Sequence, residues 1–522
     1  MVSSVPAVFI GLATVYTFLA ILHRLTQSSK EPPSINDGIP FVSPVLGMFE
    51  KGGNFYRRLR DQYNLPIYTL RLPGTRFYIV NSAPLITAVQ NQFHELSFTA
   101  IEATLATKVF GVNKTTAQIL EANVADDDGY LMLYPKYIHE ALSAGPALDA
   151  MNRAAIKVIA ASIDERAKQG ISTVSMYRWI RREMLVASTD SVYGPHNPYR
   201  KPAMQEDWDV YERGMMKFVL GGLFARFFVR DSYKARERMV TYWEEYFQKK
   251  WHEQGSAYVK ARVKINTDFE IDDSEAARME IGGAQAVLTN TLPGTFWVVF
   301  HIFSNPTIVN DIREELLKGV SIEADGTRTI DWNYVKTECP VLLSLFKETM
   351  RFHSSATATR FTLKDHMLDD KYLLKKGSTI MMPANVQHTD QNVWGNNVDE
   401  FMHRRFVREP GVKRVNPIAF RGFGGGTTLC PGRHFASAEI LMFAALLVLR
   451  FDLKPLSGEW KTPTWANASV IQALPEPDWD VEAELQPREE AGTKWRVTYS
   501  NEHVAVDLAA EDVEGAAPNL IH

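Results

Sequence analysis

Apolar and polar positions divide the chain into stretches of different character. Val5 to Leu22 is an uncharged apolar run of 18 residues, followed by Arg24 and Lys30 and preceded by no Lys or Arg. That length is near the lower limit for a helix crossing a bilayer. Basic residues after the run direct the following chain to the cytoplasmic side. A cleaved signal peptide is the competing assignment, but a positive leading region is absent and no small-residue cleavage site stands out. Residues 1–24 are expected to form one anchor helix. Pro32, Pro33, Gly38 and Pro40 make residues 25–40 a stiff hinge.

Beyond the hinge, Ile67–Leu72 and Arg76–Val80 flank Pro73-Gly74, which predicts a β-hairpin. Helical patterns dominate from Leu85 to Phe352. Within them, Ala276–Ser304 is long and mostly apolar. Gln285, Asn290, Pro293 and His301 interrupt it, so it reads as a buried core helix rather than a second span. Short strands are expected across Leu363–Met382, separated by Asp369-Asp370 and Lys376-Gly377. An apolar helix follows from Phe435, then mostly loops and strands from Phe451 to Ser500, and a polar, acidic tail over 501–522. No internal repeat is present. The expected fold is mostly α with small β-sheets.

The 522 residues are 45% apolar and 11% aromatic, ample for a large core. A net charge of −4 gives no reason to expect nucleic-acid binding.

The chemistry concentrates at Phe423-Gly-Gly-Gly-Thr-Thr-Leu-Cys430-Pro-Gly-Arg-His-Phe-Ala436. Gly424, Gly425 and Gly426 allow tight backbone turns that let the chain pass close to a flat ligand. The helix that follows directs its N-terminal N–H groups toward Cys430, which favours a thiolate and predicts a depressed pKa. A free cysteine is usually packed core. The whole pattern Phe-x-x-Gly-x-x-x-Cys-x-Gly is much harder to meet by chance. A zinc cage fits poorly, because no second cysteine or His pair lies at ligand spacing.

On these residues the chain resembles the cytochrome P-450 superfamily of haem-thiolate monooxygenases. The resemblance implies that Cys430 is the axial ligand of the iron of haem b, and that Phe423, Gly424, Gly426 and Gly432 belong to the haem-binding loop. A thiolate behind the iron favours O–O cleavage. Thr428 departs from the pattern, since the family usually has Arg or His there to meet a haem propionate. Glu348-Thr-Met-Arg351 places an acid and a base on one helix face and resembles the family's structural motif, with Arg405, before Phe406, as third member. His388-Thr-Asp390 and Trp394 stand at family-like spacing. Arg360 corresponds to a propionate-binding arginine, and Tyr134, Lys136, Tyr137 and His139 are candidates for further propionate contacts. With Cys430 assigned to iron, Cys339 has no disulfide partner, which fits a reducing, cytosol-facing domain.

Leu288-Thr-Asn-Thr-Leu-Pro-Gly-Thr-Phe-Trp297 resembles the helix that crosses above the haem. Most members carry an acid and a threonine there, and here Thr289 and Asn290 take those places. Thr289, Asn290 and Thr291 are the catalytic candidates. Pro293 is expected to kink this helix and free the Thr289 carbonyl. The Asn-Thr-Leu-Pro variant resembles the branch of bile-acid 7α-hydroxylases, prostacyclin synthase and fungal enzymes of specialised metabolism.

The resemblance implies a catalytic domain over 41–500, anchored in the endoplasmic-reticulum membrane by a single pass and facing the cytosol. It implies dioxygen, electrons from NADPH through a separate reductase, and a bulky lipophilic substrate such as a terpenoid, steroid or polyketide. The pocket would be lined from Phe98–Leu120, Phe218–Phe228, the distal helix, Ala356–Thr359 and Ser469–Gln472. Two alternatives stand beside it: a reductase-independent haem-thiolate isomerase or dehydratase, and a non-catalytic haem-binding sensor.

Overall fold

Two helices are apolar on nearly every side, and such helices are stable only inside a core. Every residue of Thr291–Phe303 is buried, as is every residue of Arg433–Arg450 from Ser437 onward. In the computed structural model they pack against each other. Met176–Tyr193 packs on the first, Pro146–Lys168 on the second, and Pro306–Leu317 and Pro340–His353 on both. The structure describes residues 4–36, 38–51, 53–221, 229–408, 417–467, 472–488, 492–500, 506–509 and 512. The pocket segments expected over 222–228 and 469–471, and most of the 501–522 tail, lie outside the described residues.

The expected hairpin forms, with Leu72 opposite Thr75. Its second strand runs parallel to Thr379–Pro383, which pairs antiparallel with Thr357–Thr362, and Leu96–Ser97 closes that edge. The resulting five-stranded sheet places Arg360 opposite Ile380. Short strands also appear at His366–Leu368 and Tyr372–Leu374, joined through Asp369 and Asp370, both left-handed. Aspartate tolerates that conformation better than most side chains.

The long apolar segment lies inside the fold as Asp273–Leu288 and Thr291–Phe303, separated at Thr289 and Asn290. The N-terminal helix Ser4–Leu25 instead exposes Phe9, Ile10, Leu12, Val15 and Phe18. Residues 25–40 do not swing freely from it. Arg71 donates to the carbonyl and hydroxyl of Thr26, and the Thr69 hydroxyl donates to the Pro32 carbonyl. Glu31 is buried against the Tyr78 hydroxyl and Arg76. The helix is thereby held against the hairpin.

Where the distal helix meets Pro340–His353, His301 Nε2 and His353 Nε2 share one proton at 2.8 Å. His301 stacks on Phe401 and His353 on Trp297. Burial pushes the His301 pKa down to about 3; burial, then His301 and Arg351, push that of His353 well below its ordinary value. Both rings are therefore neutral when folded and must charge only on unfolding.

Because both folded pKa values lie below the unfolded value of 6.5, the unfolded chain binds more protons as pH falls through that value. The stability these rings contribute is complete above pH 6.5 and is lost on acidification, by about 1 kcal/mol per pH unit per ring. Urea unfolding between pH 7 and pH 5 should show a shallower pH slope for His301→Phe than for the wild type. Equal slopes would remove the histidine pair from the linkage.

Candidate active site

The site begins with a carboxylate stripped of water. Glu348 is fully buried and accepts hydrogen bonds from Arg351 Nε and Nη2, each at 2.7 Å. It also accepts from Arg405 Nε at 3.0 Å and from the Met402 N–H at 3.0 Å. Arg351 spends its remaining donors on the carbonyls of His388 and Val398. Arg405 spends its own on Trp394, Asn397 and Glu400. The three residues named from sequence meet in space, and both arginines bond the segment from His388 to Glu400.

His388 extends this frame to the cysteine loop. Its Nε2 accepts the Arg421 backbone N–H at 2.8 Å. That role requires an unprotonated Nε2, and burial, then the Arg351 charge, hold the pKa down at about 3. From Arg421 the chain turns through Gly424 and Gly426, both left-handed, and the Cys430 N–H closes onto the Phe423 carbonyl at 3.0 Å. A Cβ on Gly426 would also meet the Gln90 side chain at 2.9 Å. The Phe423 ring packs beside Phe346. Gly432 caps the helix Arg433–Arg450 with an ordinary negative φ.

Cys430 is enclosed yet keeps accessible surface, while Cys339 is fully buried. The depressed thiol pKa expected from the helix N-terminus is not found. Burial pushes the Cys430 thiol up, and the Gly432 N–H and Arg433 offset only part of that. A coordinated metal ionises a thiol directly.

Arg360 reaches the cysteine loop from the sheet strand Thr357–Thr362 and is 1% exposed. It donates to the Thr359 carbonyl and to the Thr428 hydroxyl, both at 2.8 Å, and lies over the Phe98 ring. Its Nε has no hydrogen-bond partner, and no carboxylate among the described residues lies within ion-pair distance. Burial lowers its pKa to about 10. An interior guanidinium with an unused donor fits an anionic ligand group. Together with Cys430 on the same loop, it suits a haem, whose iron and propionate carboxylates need such groups. Thr428, the departure from the family pattern, is the residue that holds Arg360.

Tyr134, Lys136, Tyr137 and His139 do not join this cluster. Tyr137 bonds Asp268, His139 bonds Ser143, Lys136 is exposed, and Tyr134 is half-buried beside Arg262 and Tyr258.

On the distal side, Pro293 leaves the Thr289 carbonyl without its helical donor, and the helix is interrupted at 289–290. The Thr291 hydroxyl bridges the break by donating to the Val287 carbonyl at 2.8 Å. Asn290 Oδ1 accepts the backbone N–H groups of Ala473 and Leu474. Ser355 and Trp297 bond the same segment at Gln472, Ala473 and Pro475. Asn290 is thus a loop anchor, with only Nδ2 left over. Thr289 Oγ1 is buried and without a hydrogen-bond partner.

Three further residues had no visible sequence motif. Gln90 donates to the Gly425 carbonyl at 2.7 Å, and Arg421 Nη1 donates to Gln90 Oε1. Glu102, one helical turn beyond Phe98, has its carboxyl pKa raised to about 7 by burial, against the pull of Arg360. Only the packing of 83–105 on the cysteine loop and sheet brings them here.

A family model described as Cytochrome P450 matches residues 32–477. Cytochrome P450 monooxygenase nodJ of Hypoxylon pulicicidum is 34% identical, over 91% of this chain and 94% of its own length. Cytochrome P450 7A1 of Sus scrofa is 23% identical, over 88% and 94%. A solved structure described as retinoic acid bound cyanobacterial CYP120A1 has a TM-score of 0.68 at 18% identity, covering 88% of this chain and 100% of its own. At that identity the likeness is one of fold.

Replacing Arg351 by Ala removes two of the four donors to Glu348 and should cost about 3–5 kcal/mol of unfolding free energy. Gln90→Ala removes the 2.7 Å donor to the Gly425 carbonyl and the Oε1 that accepts from Arg421 Nη1, and should cost about 1–3 kcal/mol. Urea titration of both variants checks the order; Gln90→Ala as damaging as Arg351→Ala would contradict it.

Proposed function

The chain belongs to the cytochrome P450 family, a monooxygenase family dependent on haem iron, and on that premise we propose that Cys430 is the axial thiolate of haem b in an enzyme oxidising a bulky lipophilic substrate. The observation that carries this reading is the enclosed but accessible Cys430 on a loop that also holds Arg360 through Thr428. When bound, the haem supplies oxygen activation, which an axial thiolate promotes by donating electron density.

The protein's own residues would do the rest. Arg360 Nε would donate to a propionate, with the guanidinium held in place by the Thr428 hydroxyl. The Gly424 and Gly426 turns let the backbone approach the ring. Thr289 Oγ1 and Asn290 Nδ2 are the donors free to pass a proton on the distal side, and Thr291 keeps the helix break in register. Asn290 Oδ1 would also fix the 472–475 segment beside the substrate.

Electrons would come from NADPH through a separate reductase. The exposed apolar helix Ser4–Leu25 is about 33 Å long at 1.5 Å per residue, matching a bilayer's hydrocarbon thickness. It would anchor the protein to the endoplasmic reticulum by one pass, with the catalytic domain in the cytosol. Among relatives, one is named a cholesterol 7-alpha-monooxygenase. With the fungal monooxygenases, this supports a terpenoid, steroid or polyketide substrate from specialised metabolism.

A second reading is favoured by one observation: Leu288–Trp297 contains no carboxylate. A reductase-independent isomerase or dehydratase would need none. Product formed without NADPH would decide for it.

The reduced protein should show the carbon monoxide difference band of thiolate-ligated haem, and Cys430→Ser should abolish it. Retention of the band would sink the ligand assignment. Thr289→Val should lower product formed per NADPH consumed, whereas Asn290→Ala should mainly raise KM. The reverse pattern would give Asn290 the proton-passing role instead.

A further inference from the structure

Beside Arg360 stands a second ionisable side chain that lacks partners. Glu102 lies on the helix Thr99–Leu105, and its N–H bonds the Phe98 carbonyl at 3.2 Å. The two residues are thus one turn apart on one face, and Arg360 lies over the Phe98 ring. Thr99 and Ala103 are buried on another face, where the Thr99 hydroxyl donates to the Val124 carbonyl and fixes the rotation of the helix. Glu102 is half-buried, and among the described residues no hydrogen bond or ion pair engages its carboxyl. Residues 106–110, 114–121 and 130–142 and the strand Thr357–Thr362 pack against this helix. On the first three, Lys108, Lys114, Glu121, Lys136 and Glu140 are exposed. Tyr130 bonds Asn266, Tyr134 faces Arg262, Tyr137 bonds Asp268 and His139 bonds Ser143. From the strand, Arg360 is the charge that acts on Glu102.

Thr428 accepts from Arg360 and donates to the Gly425 carbonyl at 3.4 Å, so its own proton is already engaged. The loop therefore offers no donor there to an anion at Arg360. Burial holds the Glu102 pKa at about 7, and a second negative charge in the same space raises it further. A protonated carboxyl donates its O–H to an anion in a short, charge-assisted hydrogen bond. We propose that Glu102, as a neutral carboxylic acid, is a second donor to the propionate that Arg360 holds, and that bound haem keeps one solvent-derived proton on Glu102. The inference rests on the reading of Arg360 as the propionate donor. Glu102 is a positioning residue for the cofactor. Its contribution to haem retention is complete at low pH and is lost as pH rises through the pKa of the bound state, where the carboxylate repels the propionate.

The test measures haem loss from the full-length, haem-loaded protein to excess apomyoglobin, followed by absorbance from pH 6 to pH 9. Wild-type loss should accelerate about tenfold over that range, the equivalent of one charge-assisted hydrogen bond. Glu102→Gln keeps a neutral donor at every pH, so its loss should stay slow and lack this acceleration. Glu102→Ala should lose haem faster than wild type at pH 6, with no acceleration at pH 9. One pH profile shared by wild type and Glu102→Gln overturns the proposal. Infrared difference spectra of the two at pH 7 should show the band of a protonated carboxyl in the wild type only; its absence also overturns it. Should Glu102→Ala fail to fold, Glu102→Gln, of nearly the same shape, carries the comparison. The carbon monoxide band of the same samples keeps the two readings apart. A missing band in every form overturns this inference together with the ligand assignment; an intact band with equal pH profiles overturns the role of Glu102 alone.

Discussion

The fold around Cys430 depends on the burial of one negative charge. Glu348 has no contact with water, and an interior carboxylate is tolerated only when surrounded by matched donors. Its donors come from the Pro340–His353 helix and from the loop carrying Met402 and Arg405. Those arginines then spend their other donors on carbonyls between His388 and Glu400. Any shift of these segments would strand a charge. His388, locked by this frame, sets where Arg421 begins the loop that ends at Cys430.

The opposite side of the site is organised by a missing hydrogen bond. Pro293 opens the distal helix, and the side chains around the break have been put to structural use. Thr291 caps Val287, and Asn290 Oδ1 ties down Ala473 and Leu474. A position that most members of the family use in proton delivery here serves first to hold a loop. The polar atoms left over, Thr289 Oγ1 and Asn290 Nδ2, are neutral and uncharged at any working pH. That places different demands on the distal chemistry than an ionisable carboxylate would.

Thr428 illustrates how a local departure is absorbed. An arginine or histidine there would crowd a second cation against Arg360, already 1% exposed and with its pKa lowered to about 10. A threonine hydroxyl instead accepts from Arg360 and fixes its direction. Glu102, nearby and held at about 7, moderates the same positive charge without pairing to it.

Much of this was legible in the sequence because it is local. The hairpin around Pro73-Gly74, the strands about Asp369-Asp370, the buried distal helix and the face shared by Glu348 and Arg351 all follow from periodicity and turn chemistry over a few residues. The Cys430 loop was readable because its glycines are required by backbone conformation at Gly424 and Gly426. What the sequence could not decide were contacts between segments far apart along the chain, from 68 to 335 residues. Gln90 on Gly425, Arg360 on Thr428, Asn290 on Ala473 and Asp512 on Arg433 each depend on which donors and acceptors the folded core leaves unsatisfied. The thiol pKa belongs with them. A helix N-terminus is visible in a sequence, but the desolvation that outweighs it at Cys430 exists only once the surrounding layers have excluded water.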